Sequence, residues 1–144
     1  MSFIKGIGHP AYVAKDYEGL KQFYIEVLGL KDAFTLKHDD GRIMLCYLHV
    51  AGHQFIELFP PPENGRDFTP PRSSSYNHLC LLVDDMDGLL ADLREKGVEI
   101  DRGPQQGRDG NTQAWICDPE GNPIEFMQLN PESPQAKTEA KYSG

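Results

Sequence analysis

Long apolar runs are absent from this sequence, so no membrane-spanning segment is expected. Basic residues are scarce: 14 Lys and Arg stand against 22 Asp and Glu, a net charge of -8. With no basic patch to neutralise phosphates, a nucleic-acid partner is excluded, and so is docking on an anionic membrane surface. Cysteine is scarce too. Cys46, Cys80 and Cys117 are odd in number, far apart, and each sits in an apolar, strand-like run. They read as small buried residues of a cytoplasmic protein rather than disulfide partners or metal ligands. Met1-Ser2-Phe3-Ile4-Lys5-Gly6 has neither a long apolar core nor a cleavage site, so no signal peptide is expected. What remains is an ordinary globular composition, 39% hydrophobic and 25% charged over 144 residues, enough for one domain with a real core.

What is present is a repeat. Gly6-Ile7-Gly8-His9-Pro10-Ala11-Tyr12-Val13-Ala14-Lys15-Asp16 answers to Ser75-Tyr76-Asn77-His78-Leu79-Cys80-Leu81-Leu82-Val83-Asp84-Asp85. Each is a short apolar run with a histidine near its start and an aspartate seven residues later. Further on, Gly52-His53-Gln54-Phe55-Ile56-Glu57-Leu58-Phe59 answers to Gly121-Asn122-Pro123-Ile124-Glu125-Phe126-Met127. His9 and His78 are 69 apart, Glu57 and Glu125 are 68 apart. One unit is used twice, with a His and a Glu at equivalent places.

Along the chain, Ile4 to Ala14 reads as a strand with Ile7, His9, Ala11 and Val13 on one face. Asp16 is an N-cap, and Leu20, Phe23, Tyr24, Val27 and Leu28 recur at helical spacing up to Gly29. Strands over 33–37 and 42–50 join at Asp39-Asp40-Gly41, and a third runs Gln54 to Phe59. Residues 60–75, rich in Pro, Ser and charge, form a linker, over which Arg66, Phe68 and Arg72 are candidates to fold onto a site. The second unit repeats the order. A strand runs His78 to Val83, and Asp84 or Asp85 caps a helix with Met86, Leu89, Leu90 and Leu93 as its stripe. Lys96-Gly97 ends it. Val98 to Asp101 reads as a strand, Gly103 to Asn111 as a glycine-rich loop, and Gln113 to Cys117 as a strand. Asp118 to Asn122 is a tight turn and Pro123 to Leu129 the last strand. The tail, 131–144, has nothing to bury and is expected to be disordered. Residues 1–130 thus form one domain of two units, 4–59 and 76–130.

Two His and two Glu make a ligand set for a divalent first-row metal. Alone, a strand His is more often a hydrogen-bonded core residue, and a strand Glu usually faces water. Four at matching offsets reverse that balance, because duplicated units packed about a pseudo-two-fold axis bring equivalent positions together. His38, His49 and His53 lack counterparts and read as surface or structural residues.

The two histidine strands, the two glutamates and the ending Asp118-Pro119-Glu120-Gly121-Asn122-Pro123-Ile124-Glu125 resemble the vicinal oxygen chelate superfamily, and within it small glyoxalase I (lactoylglutathione lyase)-like proteins. The resemblance covers about residues 4 to 130. It implies an α+β fold: two tandem βαβββ units forming a cupped, eight-stranded mixed β-sheet with helices outside. It further implies one divalent ion (Ni, Co, Zn, Mn or Fe) held by His9, Glu57, His78 and Glu125, in a site shared across a homodimer. There the metal holds two vicinal oxygens of a small-molecule substrate and stabilises an enediolate. Glu125 is implied as the base and Glu57 as its partner on the opposite face. One departure stands out: where glutathione-using members often carry an arginine on the first strand, this chain has Val13. The resemblance keeps alternatives open, namely an epimerase, an extradiol-type dioxygenase, or a non-catalytic antibiotic-binding protein.

Overall fold

The computed structural model of the protein describes residues 7–63 and 77–142. Contacts divide the chain into two compact units, Met1–Pro71 and Arg72–Gly144. In the first unit, β1 (Ala11–Val13) leads to α1 (Tyr17–Gln22), which runs on as a π-helical turn, Phe23–Val27. Three strands follow: β2 (Lys31–Lys37), β3 (Ile43–Ala51) and β4 (Gln54–Phe59). They make a four-stranded sheet in the order β1-β4-β3-β2, with β1 parallel to β4 and the other pairs antiparallel.

The second unit repeats this plan. It comprises β5 (Leu79–Leu82), α2 (Met86–Glu95), β6 (Arg102–Gln106), β7 (Thr112–Cys117) and β8 (Pro123–Gln128). Its sheet has the order β5-β8-β7-β6, again with the first and last strands parallel. The α+β class and the two tandem βαβββ units that the resemblance implies are therefore present, with the eight strands arranged as two four-stranded mixed sheets.

Local chemistry explains the elements. The Asp16 and Asp85 carboxylates each accept the backbone N–H three residues on, Gly19 and Gly88, at 3.0 Å, so each helix starts with a filled N-cap. Gly29 and Gly97 follow the helices at φ of 76° and 77°, where a Cβ is penalised. Each sheet has two faces because strand side chains alternate. Cys46, Leu48, Ile56 and Leu58 are buried with Leu20 and Tyr24 of the helical segment. Ala114, Ile116, Ile124 and Phe126 are buried with Leu90 and Leu93 of α2. The opposite face of each sheet is the one that carries the histidine and the glutamate.

Four expectations need correction. The first strand is shorter than 4–14: Pro10 has no N–H to give, and only its carbonyl joins β4, accepting from Glu57 N at 3.0 Å. Val98 to Asp101 is not a strand, and β6 lies instead in the stretch read as a loop. A register shift between Arg102 and Gln105 lets an edge strand absorb Gly103 and Pro104. The tail is not disordered over its described part. There Pro134–Tyr142 forms a helix, α3, whose start is held by Ser133, with Oγ accepting from Ala136 N at 3.2 Å. Finally, only Cys46 is buried; Cys80 and Cys117 are exposed, because they stand on the face of their sheet that also carries Glu125. Arg66, Phe68 and Arg72 lie outside the described residues.

Candidate functional site: two matched histidine–glutamate pairs

In the first unit, Ala11 of β1 is registered with Glu57 of β4, and His9 lies two residues before it. His9 Nε2 is 3.1 Å from Glu57 Oε2. In the second, Cys80 of β5 is registered with Glu125 of β8, and His78 lies two residues before it. His78 Nε2 is 2.9 Å from Glu125 Oε2. The structure thus brings the predicted residues together as two pairs with the same construction. The turn glycines ahead of the glutamate strands, Gly52 and Gly121, both have positive φ. Among the described residues, no three His, Cys, Asp or Glu side chains meet in a metal-sized cluster; each unit supplies two donors.

The histidines are mounted on aromatic rings that the sequence analysis did not single out. Tyr47 of β3 is registered with Glu57, and Trp115 of β7 with Glu125. His9 meets Tyr47 edge-on at 5.0 Å between centroids, and His78 meets Trp115 edge-on at 4.6 Å. Tyr47 Oη lies 3.5 Å from His9 Nε2. Burial, then the charge of Glu57, pushes the Tyr47 phenol up from its ordinary value. The signal that would have found both rings was the repeat itself: Tyr47 and Trp115 are 68 apart, the spacing of the glutamates.

The next strand continues each row. Phe34 of β2 is registered with Tyr47 and stacks on it at 4.6 Å and 17°. Arg102 of β6 is registered with Trp115 and sets its guanidinium 4.9 Å from the ring centroid. The rows therefore read His9, Glu57, Tyr47, Phe34 and His78, Glu125, Trp115, Arg102. Although the Cys80 residue is exposed, its thiol stands beside Glu125, and partial desolvation there, then that carboxylate, push it up to about 12. Of the unmatched histidines, His49 bonds the Gly52 carbonyl at 3.0 Å and so braces the turn before β4.

The donor chemistry fits a divalent cation. His78 Nδ1 lies 2.6 Å from Asn77 Oδ1, an acceptor that fixes the proton on Nδ1. With that tautomer, Nε2 and the Glu125 carboxylate oxygen form a donor pair of the kind a divalent cation accepts. The donor separations also fit, since two ligands about 2.1 Å from one ion at a right angle stand about 3 Å apart.

A histidine just ahead of the first strand, paired with a glutamate on the last, is built twice on βαβββ units. The chain belongs to the Glyoxalase/Bleomycin resistance protein/Dioxygenase superfamily, whose family model matches residues 6–126. It is 28% identical over 125 residues to the uncharacterized protein YwkD of Bacillus subtilis, spanning 87% of this chain and 98% of that one. It is 29% identical over 111 residues to a lactoylglutathione lyase of Haemophilus influenzae, spanning 74% and 80%. Among solved structures, it matches TnmS3, an antibiotic binding protein from Streptomyces sp. CB03234. That match has a TM-score of 0.70 and 27% identity, over 90% of this chain and all of that one. No described helix is long and apolar enough to cross a membrane.

Proposed function

We propose that the protein is a divalent-metal-dependent lyase or isomerase of the glyoxalase I type, acting on a small substrate with two vicinal oxygens. The observation that carries this reading is the duplicated His–Glu pair at 3.1 and 2.9 Å, each on the same strand register and against the same kind of ring. The four donors His9, Glu57, His78 and Glu125 hold one ion, two from each chain of a homodimer. When bound, the ion supplies Lewis-acid stabilisation of the charge that develops on the substrate oxygens. The protein's own groups do the rest. Glu125 takes the proton from the carbon next to the carbonyl, and Glu57 serves the opposite face of the substrate. Tyr47 and Trp115 hold the imidazoles in place, and Asn77 holds the His78 tautomer.

The test is metal content by mass spectrometry on untagged protein and on His78→Ala. The expected result is about one Ni, Co, Zn, Mn or Fe per site in the parent and loss of it in the variant. Light scattering is expected to give a dimer; a monomer at micromolar concentration refutes the shared site. Glu125→Gln is expected to retain the metal and to lose turnover on the methylglyoxal–thiol adduct by about a hundredfold or more. A second reading, sequestration of a planar drug without chemistry, draws on Phe34, 46% exposed while stacked on Tyr47. Absence of metal in both proteins, even after soaking, selects it.

A further inference from the structure

The two rows of side chains agree at three positions and part at the fourth. Where the first unit sets Phe34 on Tyr47, the second sets Arg102 on Trp115. We infer that Arg102 is a specificity residue that binds an anionic group of the ligand, a carboxylate lying about one six-membered ring away from the chelated oxygens. The inference rests on the metal-chelating role given above to His78 and Glu125.

Three observations carry it. First, Arg102 has no carboxylate partner among the described residues, although the chain carries 22 Asp and Glu. Its recorded contact is with the face of an aromatic ring, which orients the guanidinium and leaves its N–H edges free to donate. Second, the platform is itself held: Trp115 Nε1 donates to Gln113 Oε1 at 2.6 Å, so the indole plane is fixed before any ligand arrives. Third, the same indole meets His78 edge-on at 4.6 Å, so one ring touches both the guanidinium and the proposed metal ligand. Glu125 and Arg102 are two strands apart, about 10 Å along the sheet before the arginine side chain reaches back over the indole. That span matches a small planar ligand with its charge at the far end from the vicinal oxygens.

The test uses zinc-loaded protein and calorimetric titration with protocatechuate and its primary amide. Both carry the same vicinal oxygens, and only the first carries a separate carboxylate. The parent is expected to bind the acid about tenfold more tightly than the amide. Arg102→Met is expected to bind the two alike, with metal content and melting temperature unchanged, and Arg102→Lys to keep part of the preference. Equal binding by the parent, a preference that survives in Arg102→Met, or no binding of either compound overturns the inference. Repeating the titration on EDTA-treated protein separates the two ideas. A preference that persists where zinc never binds sinks the metal reading and keeps Arg102. One zinc per site with equal affinities does the reverse.

Discussion

Asp118 spans the turn ahead of β8 with both carboxylate oxygens. Oδ1 accepts from Glu120 N and Asn122 N at 2.9 Å, Oδ2 from Asn122 Nδ2 at 2.7 Å, and the residue is only 4% exposed. Asp118→Ala strands those donors and is expected to cost about 2–4 kcal/mol in urea unfolding, with a loosened Glu125 strand. Tyr17 is the opposite case. It is buried, and its hydroxyl has no hydrogen-bond partner among the described residues. Burial, then the nearby Cys46, pushes its phenol above the ordinary value. The folded state thus holds this proton more tightly than the unfolded chain. Its contribution is intact below about pH 10 and is lost as pH rises beyond that. Tyr17→Phe is expected to flatten the alkaline fall in stability and to gain up to about 1 kcal/mol at neutral pH, read by denaturation at stepped pH.

At the scale of elements, β6 depends on a glycine. Gly103 has φ of 92°, and a Cβ there would lie 2.5 Å from the Gln113 carbonyl oxygen and 2.9 Å from Ala114 Cα. Gly103→Ala is expected to cost roughly 1–3 kcal/mol and to free β6 from β7, seen as faster amide exchange in Gln105 and Gln106. Replacing either helix cap, Asp16→Ala or Asp85→Ala, is expected to cost about 1 kcal/mol. What could be read from the sequence follows from the same chemistry. The caps, the Asp-Gly hairpin and the β4 and β8 strands carry their signals within a few residues. The His and Glu positions were legible because they repeat. β6 was not, because Gly103 and Pro104 mimic a loop and only pairing with β7 makes them a strand. α3 is hard to see in the sequence because its residues are polar, and its one local signal, Ser133-Pro134, lies in a stretch with little to bury. Tyr47 and Trp115 were hidden among other strand aromatics, which no local pattern distinguishes from core.

At the scale of the whole molecule, the proposed ion couples metal binding to stability. A metal that binds only the folded state at a hundredfold excess over its dissociation constant adds about 2.7 kcal/mol. For a chain of this size that is roughly a 5–10 °C rise in melting temperature. Adding Ni or Zn to EDTA-treated protein is expected to give that rise, and His78→Ala is expected to abolish it. A flat response in the parent argues that the histidines are structural.

The parallel pairing of first with last strand in each unit also sets an order of events in time. Ala11 waits for Glu57, and Cys80 for Glu125, partners roughly 45 residues downstream. Neither pair forms from a nascent fragment that lacks the final strand of its unit. As the ribosome delivers the chain, all the residues of the His9–Glu57 unit are present while the strand bearing Glu125 is still unmade. Each histidine–glutamate pair therefore needs only the residues of its own half, and a chain broken off short of β8 can form one such pair and not the other.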